Sequence, residues 1–365
     1  MALDSVIVLA LNSGSSSLKF GLYRVTASSA ETLISGQIEE IRQIGECLAN
    51  HDLPAPTAIG HRIVHGGPRL RHHCLIDQSV LRELKAATAY APLHLPAELS
   101  VIRFAREHFP EAAQVACFDT AFHADLPEVA RTLPIAKALR ADGIQRYGFH
   151  GLSCESIVHH LADALPDRLL IAHLGAGASV TAVKAGKSVD TSMGLTPTGG
   201  MMMGARSGDL DPGVLIYLMR ARQFDAAQLE TLIDHHSGLC GISGVGGDMR
   251  QLHKAAADNA DARLAIQMFC YSARKQIAAM IAVLDGVDTL VFTGGIGEND
   301  AVARAEICRG LVWMGVSLDE ARNRSADNCV SSVASRCHVL VVPSREDEQI
   351  ARHTWTLCSG ASHAG

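Results

Sequence analysis

Two stretches of this chain repeat one local plan: an apolar strand, a loop of small residues and a returning strand. The first passes through residues 12–19 (NSGSSSLK), and the second passes through residues 175–179 (GAGAS). Alignment of Gly14 with Gly177 superimposes strand, loop and returning strand in both halves. A chain of 365 residues is long enough for two domains, so the repeat predicts a duplicated α/β domain whose two loops face each other across a cleft.

The first of these loops has the chemistry of a phosphate-binding turn. Gly14 permits a tight turn, while the hydroxyl groups of Ser15 and Ser17 and the ammonium group of Lys19 suit an anion. The chain has neither G-x-x-x-x-G-K-[ST] nor a G-x-G-x-x-G that opens a helix, so P-loop and dinucleotide-binding folds are not indicated. A serine-rich turn is also typical of an ordinary hairpin, and the residues alone leave both interpretations open.

Three further segments carry local signals. Residues 289–299 read as a strand followed by glycines, with a helix expected from about Asp300, and their open amides suit a phosphate or a ribose. Residues 262–284 carry apolar side chains at helical spacing, which predicts a long helix in the core or at a subunit interface. Residues 193–212 form a loop of about twenty residues, long enough to be functional.

Composition narrows the class of partner. A net charge of −6 without a basic stripe disfavours nucleic acid and favours a small metabolite. Ten cysteines occur without a C-x-x-C pair, which favours reduced thiols over disulfides or a zinc site. The chain shows no signal-peptide pattern and no apolar run near the roughly 18 residues that a membrane span needs. We therefore expect a cytoplasmic protein that does not enter a membrane.

Two arginines stand on glycine-rich segments. Arg62 lies in GHRIVHGG and is suited to bidentate binding of phosphate or carboxylate, although a surface salt bridge is the ordinary alternative. Arg206 lies in MGARSGDLDP, where Asp209 and Asp211 suggest a phosphoryl clamp with Mg²⁺ nearby. For Asp211 we favour a simpler role as the cap of a helix that starts near Pro212.

Other candidates follow predicted strands or open helices. Asp119 follows the apolar strand 114–118, a common position for a metal ligand or a base. His150, between glycines, either donates to a transferring phosphoryl group or is an ordinary helix-start histidine. Glu346 begins an acidic run that either stabilises a helix N-terminus or supplies a second carboxylate for Mg²⁺.

Taken in order, these motifs resemble the acetate kinase family, with its propionate and butyrate kinase relatives, in the superfamily of acetate and sugar kinases, Hsp70 and actin. The resemblance covers residue 12 to about residue 352. The matching motifs are NSGSSSLK at 12–19, HRIVHGG at 61–67, APLH at 91–94, FDTAFH at 118–123, YGFHG at 147–151, RSGDLDP at 206–212 and GIGEN at 295–299.

The resemblance implies an α/β fold of two duplicated actin/Hsp70-like (ribonuclease H-like) domains flanking a nucleotide cleft. Residues 1–123 with 348–365 would form the N-terminal domain, and residues 124–347 the nucleotide-binding domain. It also implies a homodimer. The implied reaction is reversible, direct transfer of the γ-phosphoryl group of ATP to a short-chain carboxylate such as acetate or propionate, with ATP or ADP and Mg²⁺ (or Mn²⁺) as cofactors.

The site residues are carried over position by position. The implied catalytic residues are Arg62, Asp119, His150 and Arg206, with the two guanidinium groups converging on one anionic centre. Nucleotide binding is implied for Asn12, Ser15, Ser17, Lys19, His173, Gly175, Gly177, Asp248, Arg250, Gly295, Ile296 and Asn299. The substrate site would comprise Arg62, Val64, Leu93, Phe149 and Pro197, and the metal site Asn12, Asp119 and Glu346.

The chain also departs from the family pattern. Ala176 stands where the family usually has Asn, Leu95 and Glu98 replace asparagines, Cys154 replaces a histidine, and Arg345 replaces an asparagine. The catalytic arginines, histidine and acids are retained, which favours an active kinase. The alternatives are a superfamily ATPase and a catalytically silent nucleotide-binding regulator.

Overall fold

The structure, a computed structural model, describes residues 5–13, 18–39, 42–325 and 327–360. Within these ranges the strands are β1 (Val6–Ser13), β2 (Leu18–Val25), β3 (Ala30–Ile38), β4 (Ala58–Ile63), β5 (Cys74–Leu75), β6 (Ala113–Phe118), β7 (Arg168–Leu174), β8 (Ala178–Lys184), β9 (Lys187–Thr191), β10 (Thr289–Thr293) and β11 (His338–Val341). The α-helices are α1 (Gln43–Asn50), α2 (Gln78–Ala86), α3 (Leu95–His108), α4 (Glu128–Arg131), α5 (Lys137–Ala141), α6 (Gly151–Leu161), α7 (Pro212–Arg222), α8 (Ala226–His235), α9 (Gly238–Ser243), α10 (Met249–Ala255), α11 (Ala260–Val283), α12 (Gly294–Asn299), α13 (Ala301–Arg309), α14 (Glu320–Ser325) and α15 (Glu346–Cys358).

The described parts of the chain form two compact units. Unit 1 comprises Met1–Ala124, His150–His159 and Arg345–Gly365, and unit 2 comprises Asp125–Phe149 and His160–Ser344. This division differs from the predicted domain boundaries at residue 124 and in two short segments, 150–159 and 345–347. The first of these segments belongs to unit 1 because the Gly151 N–H donates to the carbonyl of Asp119 at 2.8 Å.

The sheet of unit 1 explains why β1 is apolar along its whole length. Its strand order is β3-β2-β1-β4-β6-β5, which places β1 inside the sheet. Val8 and Ala10 pack on one face with Ile350 of α15, while Leu9 and Leu11 pack on the other face with residues of α1 and α3. Because both faces are covered, strict alternation of polar and apolar residues is absent, as is usual for such strands.

Unit 2 repeats the same arrangement. Its sheet has the order β11-β10-β7-β8-β9. In each unit a central strand, β1 or β7, pairs antiparallel with the next strand in sequence, and that strand pairs antiparallel with a third. On its other side the central strand has a parallel neighbour, β4 for β1 and β10 for β7. Strands β1, β2 and β3 thus correspond to β7, β8 and β9, and the predicted duplication is confirmed.

Helix α15 packs against the sheet of unit 1, far in sequence from the strands it covers. Gly60 of β4 makes the close approach possible, because a Cβ atom there would overlap Thr354 Oγ1 and lie 2.6 Å from Ile350 Cγ2. Trp355 and Leu357 of the same helix pack against the core. The sheet and this packing fix the start of α15, and with it Glu346 and Asp347, relative to the strand ends.

Several local predictions can be compared with the elements. The long helix expected at 262–284 is α11, and residues 192–211 contain neither helix nor strand, as expected for the long loop. The helix expected from about Asp300 begins earlier, because Gly294 starts α12 directly after β10 and Asp300 caps the next helix. All ten cysteines are free thiols. No helix among the described residues has the length and apolarity needed to span a bilayer.

Candidate active site

Arg62 and Asp119 form an ion pair where two parallel strands of unit 1 end. Arg62 lies near the end of β4, and Asp119 directly follows β6. The guanidinium donates from Nε at 3.0 Å and from Nη2 at 2.5 Å, both to Asp119 Oδ2. The Asp119 side chain is only 2% exposed, whereas that of Arg62 is 17% exposed. The Asp119 carboxylate is thus the more deeply buried member of the pair, and the Arg62 side chain is partly exposed.

Asn12 at the end of β1 links this pair to the first turn of α15. Its Oδ1 accepts from Arg62 Nη1 at 3.2 Å, and its Nδ2 donates to Glu346 Oε2 at 3.1 Å and to Asp347 Oδ1 at 2.8 Å. The structure thus brings together the predicted metal residues Asn12, Asp119 and Glu346 around Arg62. Asp347 was not predicted as a site residue. The only signal for it was its place in the acidic run that begins at Glu346.

Negative charge exceeds positive charge around Arg62. Burial opposes the charge of the Arg62 guanidinium, but the carboxylates of Asp119 and Glu346 outweigh burial and raise its pKa. Burial raises the pKa of Asp119, with Arg62 opposing and Glu346 adding to the rise. Burial likewise raises the pKa of Asp347. Three acids thus face two cations, Arg62 and, near Asp347, Lys19, and a bound metal ion would relieve the remaining repulsion between the acids.

These residues fit a hard divalent cation. Asp119 Oδ1 is buried and has no hydrogen-bond partner, although such an oxygen normally has one. Carboxylate and amide oxygens are the protein ligands that Mg²⁺ prefers. The carboxylates of Glu346 and Asp347 lie within hydrogen-bond distance of the Asn12 amide. The donor set is therefore that of an oxygen-ligated metal site.

His150 is placed near Asp119 by a backbone hydrogen bond of the next residue, since the Gly151 N–H donates to the Asp119 carbonyl. His150 has a φ of +59°, in the left-handed region that non-glycine residues seldom adopt, and it immediately precedes α6. The next residue must be glycine, because a Cβ atom on Gly151 would overlap the carbonyl oxygen of Asp119 and lie 3.0 Å from Phe122 Cβ. The strand end at Asp119 and the helix start at His150 are thus packed backbone to backbone.

The other predicted residues of unit 1 differ in exposure. Lys19 on β2 pairs in register with Asn12 on β1. Ser15 and Ser17 lie outside the described residues. Val64 is buried at 4% exposure, while Leu93 is 49% exposed, so only the first of these two apolar residues has the burial expected of a pocket wall.

In unit 2 the predicted phosphate-binding residues lie on two neighbouring loops. His173 is near the end of β7, and Gly175 N–H donates to the carbonyl of Gly177 at 3.0 Å across the short turn to β8. A Cβ atom on Gly294, which has a φ of +76°, would lie 2.8 Å from the carbonyl oxygen of Leu174. The loop after β7 and the start of α12 are therefore in contact, as the parallel pairing of β7 with β10 requires.

Arg206 lies on the long loop before α7. Its Nη1 donates to the carbonyl of Pro197 at 3.2 Å, which brings these two predicted residues together. Asp209 Oδ1 accepts from Gly200 N–H at 2.7 Å, which links two parts of this loop. Asp211 accepts from Gly213 N–H and is the N-cap of α7, so the predicted capping role is confirmed. Phe149 is almost fully buried.

The predicted nucleoside residues lie on two short helices of unit 2. Asp248 caps α10 and forms an ion pair with Arg250 at 2.7 Å, and the hydrogen bonds from Arg250 lower the pKa of Asp248 to about 2. Asn299 Nδ2 donates to the carbonyl of Gly295 at 2.9 Å. Ile296 is half-buried and Gly295 is exposed. Arg250 is exposed, with its ion pair on the surface of the unit.

A second group of potential metal ligands lies in unit 1, near Asp119. His73, Glu155 and His353 place one ligand atom each within 4.8 Å of one another. However, His73 Nδ1 accepts from Phe118 N–H at 3.0 Å, which leaves the proton of the neutral ring on Nε2. This nitrogen lies 3.6 Å from Glu155 Oε2, beyond hydrogen-bond distance, while His353 Nε2 lies 2.7 Å from the same oxygen. We therefore interpret the group as a carboxylate held between two imidazoles.

A cavity of about 310 Å³ lies at the opposite end of β6. Leu75, Arg106, Phe109 and Gln114 are among the residues that line it, and none of the predicted site residues does. Ligands of sheets with parallel strands bind at the carboxyl ends of the strands, where Arg62 and Asp119 lie. This cavity is therefore separate from the candidate active site.

Comparison with known proteins agrees with this site. Residues 43–352 match the profile of the Acetokinase family. An acetate kinase from Thermosynechococcus vestitus is 44% identical over 348 residues, which cover 93% of this chain and 81% of that protein. A propionate kinase from Francisella tularensis superimposes with a TM-score of 0.89 at 35% identity, and covers 96% of this chain and 100% of its own. An acetate kinase from Porphyromonas gingivalis superimposes with a TM-score of 0.86 at 33% identity, with 97% and 100% covered.

The duplicated sheets thus have the predicted actin/Hsp70-like fold. The profile match over most of the chain, the near full-length relatives and the motifs at the strand ends lead to one conclusion. This chain belongs to the acetokinase family.

Proposed function

We propose that this chain transfers the γ-phosphoryl group of ATP to acetate or propionate, reversibly giving an acyl phosphate and ADP. One observation carries the assignment of the site: the guanidinium of Arg62, whose side chain is partly exposed, is held by the buried carboxylate of Asp119 among further acids at the strand ends. Membership of the acetokinase family supports the reaction, because relatives along the whole chain are named acetate kinases.

The geometry suggests how Arg62 receives the substrate. Nε and Nη2 are fixed by Asp119, while Nη1 makes only longer hydrogen bonds, to Asn12 Oδ1 at 3.2 Å and to the Ser13 carbonyl at 3.5 Å. A carboxylate oxygen can replace these partners at little cost. Since a carboxylate is already a nucleophile, the protein needs to orient it and neutralise charge rather than supply a strong base.

Asp119, Glu346 and Asp347, with the amide of Asn12, would hold Mg²⁺. When bound, this ion would neutralise phosphate charge and orient the phosphate oxygens. The protein residues themselves keep Asp119 in place through Arg62 and keep the acids of α15 in place through Asn12. We expect activity to be abolished by chelation and restored by Mg²⁺ or Mn²⁺.

The remaining roles are proposed from the family motifs. His150 would donate to the transferring phosphoryl group, and its strained backbone at φ +59° is typical of a residue held for function. Arg206 would bind phosphoryl oxygens. The loops of His173, Gly175, Gly177 and Gly295, with Asp248, Arg250, Ile296 and Asn299, would bind ATP or ADP. Val64, Leu93, Phe149 and Pro197 would contact the substrate alkyl group, where one methylene changes selectivity by only about 1–3 kcal/mol.

An acyl-hydroxamate assay tests the proposal. The enzyme is given ATP, Mg²⁺ and acetate, propionate or butyrate in turn, and trapped acyl phosphate and released ADP are both measured. We expect acyl phosphate with acetate or propionate in equal amount to ADP. ADP without acyl phosphate would instead indicate an ATPase, and nucleotide binding without ADP release would indicate a silent regulator.

We also propose a homodimer that uses unit 2. Helix α11 exposes Leu264, Met268 and Tyr271 at helical spacing, and α7 exposes Ile216 and Tyr217. Such large apolar side chains on neighbouring turns are typical of an interface. Light scattering coupled to size exclusion should give twice the chain mass of 38.8 kDa, and replacement of Tyr271 by Glu should shift it toward the monomer.

A further inference from the structure

Glu98 is a buried acid next to the candidate active site. It lies on α3 with 2% exposure. Both of its carboxyl oxygens face the same donor, the N–H of Val64, at 3.2 and 3.3 Å. A single backbone N–H compensates poorly for a buried negative charge, which normally needs a paired cation and several donors. The geometry therefore favours a neutral carboxyl group.

The charged groups that face Glu98 are Arg62 and Asp119. Arg62 favours the ionised form of Glu98, but its Nε, Nη1 and Nη2 groups already donate to Asp119, Asn12 and Ser13. Asp119 disfavours a second negative charge. Burial is the largest effect and outweighs Arg62 and the Val64 hydrogen bond, which both lower the pKa, so the pKa of Glu98 rises to about 8. At neutral pH the group thus keeps its proton.

We propose that Glu98 is a positioning residue that controls the affinity for the substrate carboxylate through its own charge. In the neutral form it holds Val64 by one hydrogen bond and leaves the positive charge of Arg62 for the substrate. When its proton leaves to solvent, the new carboxylate competes for that charge and weakens binding of the anionic substrate. This inference rests on the proposed role of Arg62 as the group that binds the substrate carboxylate.

Thermodynamic linkage gives the converse effect. If ionised Glu98 weakens substrate binding, bound substrate must raise the proton affinity of Glu98 by the same factor. Binding of acetate near pH 8 should therefore take up a fraction of a proton from solution, and this uptake should vanish below about pH 6, where Glu98 is already protonated in the free enzyme.

The experiment compares the wild type with Glu98→Gln and with the surface control Glu83→Gln. Gln at position 98 keeps the size of the side chain and an acceptor for the Val64 N–H but cannot ionise. Glu83 serves as the control because it pairs with Arg69 on the surface of α2. The KM for acetate is measured from pH 7 to 9.5 at saturating ATP and Mg²⁺. We expect KM to rise about five-fold or more in the wild type and in Glu83→Gln, with little change in kcat, and to stay flat in Glu98→Gln.

Proton uptake provides a measurement that needs no variant. Titration calorimetry of acetate binding to the wild type at pH 8, in two buffers of different ionisation enthalpy, should show net proton uptake. An equal rise of KM in Glu98→Gln, or no proton uptake in the wild type, would overturn the proposal. A wild type that forms no acyl phosphate at pH 7 would overturn the proposed function instead, so the two failures are distinct.

Discussion

Removal of the Arg62 side chain should destabilise unit 1 because it leaves the Asp119 carboxylate buried without a donor. Asp119 is 2% exposed at its side chain, its Oδ2 bonds to Arg62, and its Oδ1 has no partner. Loss of one partner of such a buried pair costs about 3–5 kcal/mol. We therefore expect Arg62→Met to lower the free energy of unfolding of unit 1 by about that amount at pH 8.

A second substitution separates charge from packing. In Arg62→Met with Asp119→Asn the buried charge is gone, so at least about 2 kcal/mol of the loss should return, while activity stays lost in both variants. The pH dependence has a definite sign. In Arg62→Met the pKa of Asp119 in the folded state lies above its unfolded value, so the variant is destabilised as the pH rises and recovers as it falls.

The two tryptophans make the measurement specific for unit 1. Trp313 lies in unit 2 and is 75% exposed, while Trp355 lies on α15 and packs against the core of unit 1. In a Trp313→Phe background, Trp355 fluorescence during urea titration reports on unit 1. A cost below 1 kcal/mol for Arg62→Met at pH 8, or no recovery in the double variant, would refute the idea that Arg62 compensates a buried Asp119 charge.

Three further variants test other parts of the structure. Arg206→Lys should lose most of the activity measured by the hydroxamate assay, because Lys lacks the planar guanidinium that binds two oxygens at once. Its circular dichroism spectrum should be unchanged. Near-normal turnover would remove Arg206 from the mechanism. Gly60→Ala should cost unit 1 about 1–3 kcal/mol in Trp355-detected unfolding, since its Cβ atom would overlap Thr354; an unchanged midpoint would contradict this packing. Asp211→Ala should cost about 1 kcal/mol in thermal unfolding through loss of the α7 cap, and a neutral effect would argue against the cap.

The repeated strand–loop–strand pattern was sufficient to predict the duplication, because each repeat forms the same antiparallel pairing, β1 with β2 and β3 in one sheet and β7 with β8 and β9 in the other. The motifs also placed Arg62 and Asp119 correctly at strand ends. What sequence periodicity could not show was the start of α12. Glycines give no helical signal, yet Gly294 begins the helix because Glu298 accepts a hydrogen bond from its N–H at 3.0 Å.

Two other features depend on contacts between distant parts of the chain. Asp347 joins the site only because Asn12, 335 residues earlier in the chain, donates to it. Segment 150–159 belongs to unit 1, where Gly151 approaches the Asp119 backbone as only a residue without a Cβ atom can. Local pattern carries no information about either contact. The same holds for Glu98, whose burial and contact with the Val64 N–H follow from how α3 lies against the end of β4.

The position of α15 has a consequence for biosynthesis. Its residues close the core over strands that leave the ribosome almost three hundred residues earlier, as the approach of Thr354 to Gly60 shows. Until that helix is made, the apolar face of Val8 and Ala10 lacks its cover, and the acids Glu346 and Asp347 are missing. The strands of unit 1 must therefore wait for a helix that is made much later, and until then the partly made chain exposes an apolar sheet face that is prone to aggregate.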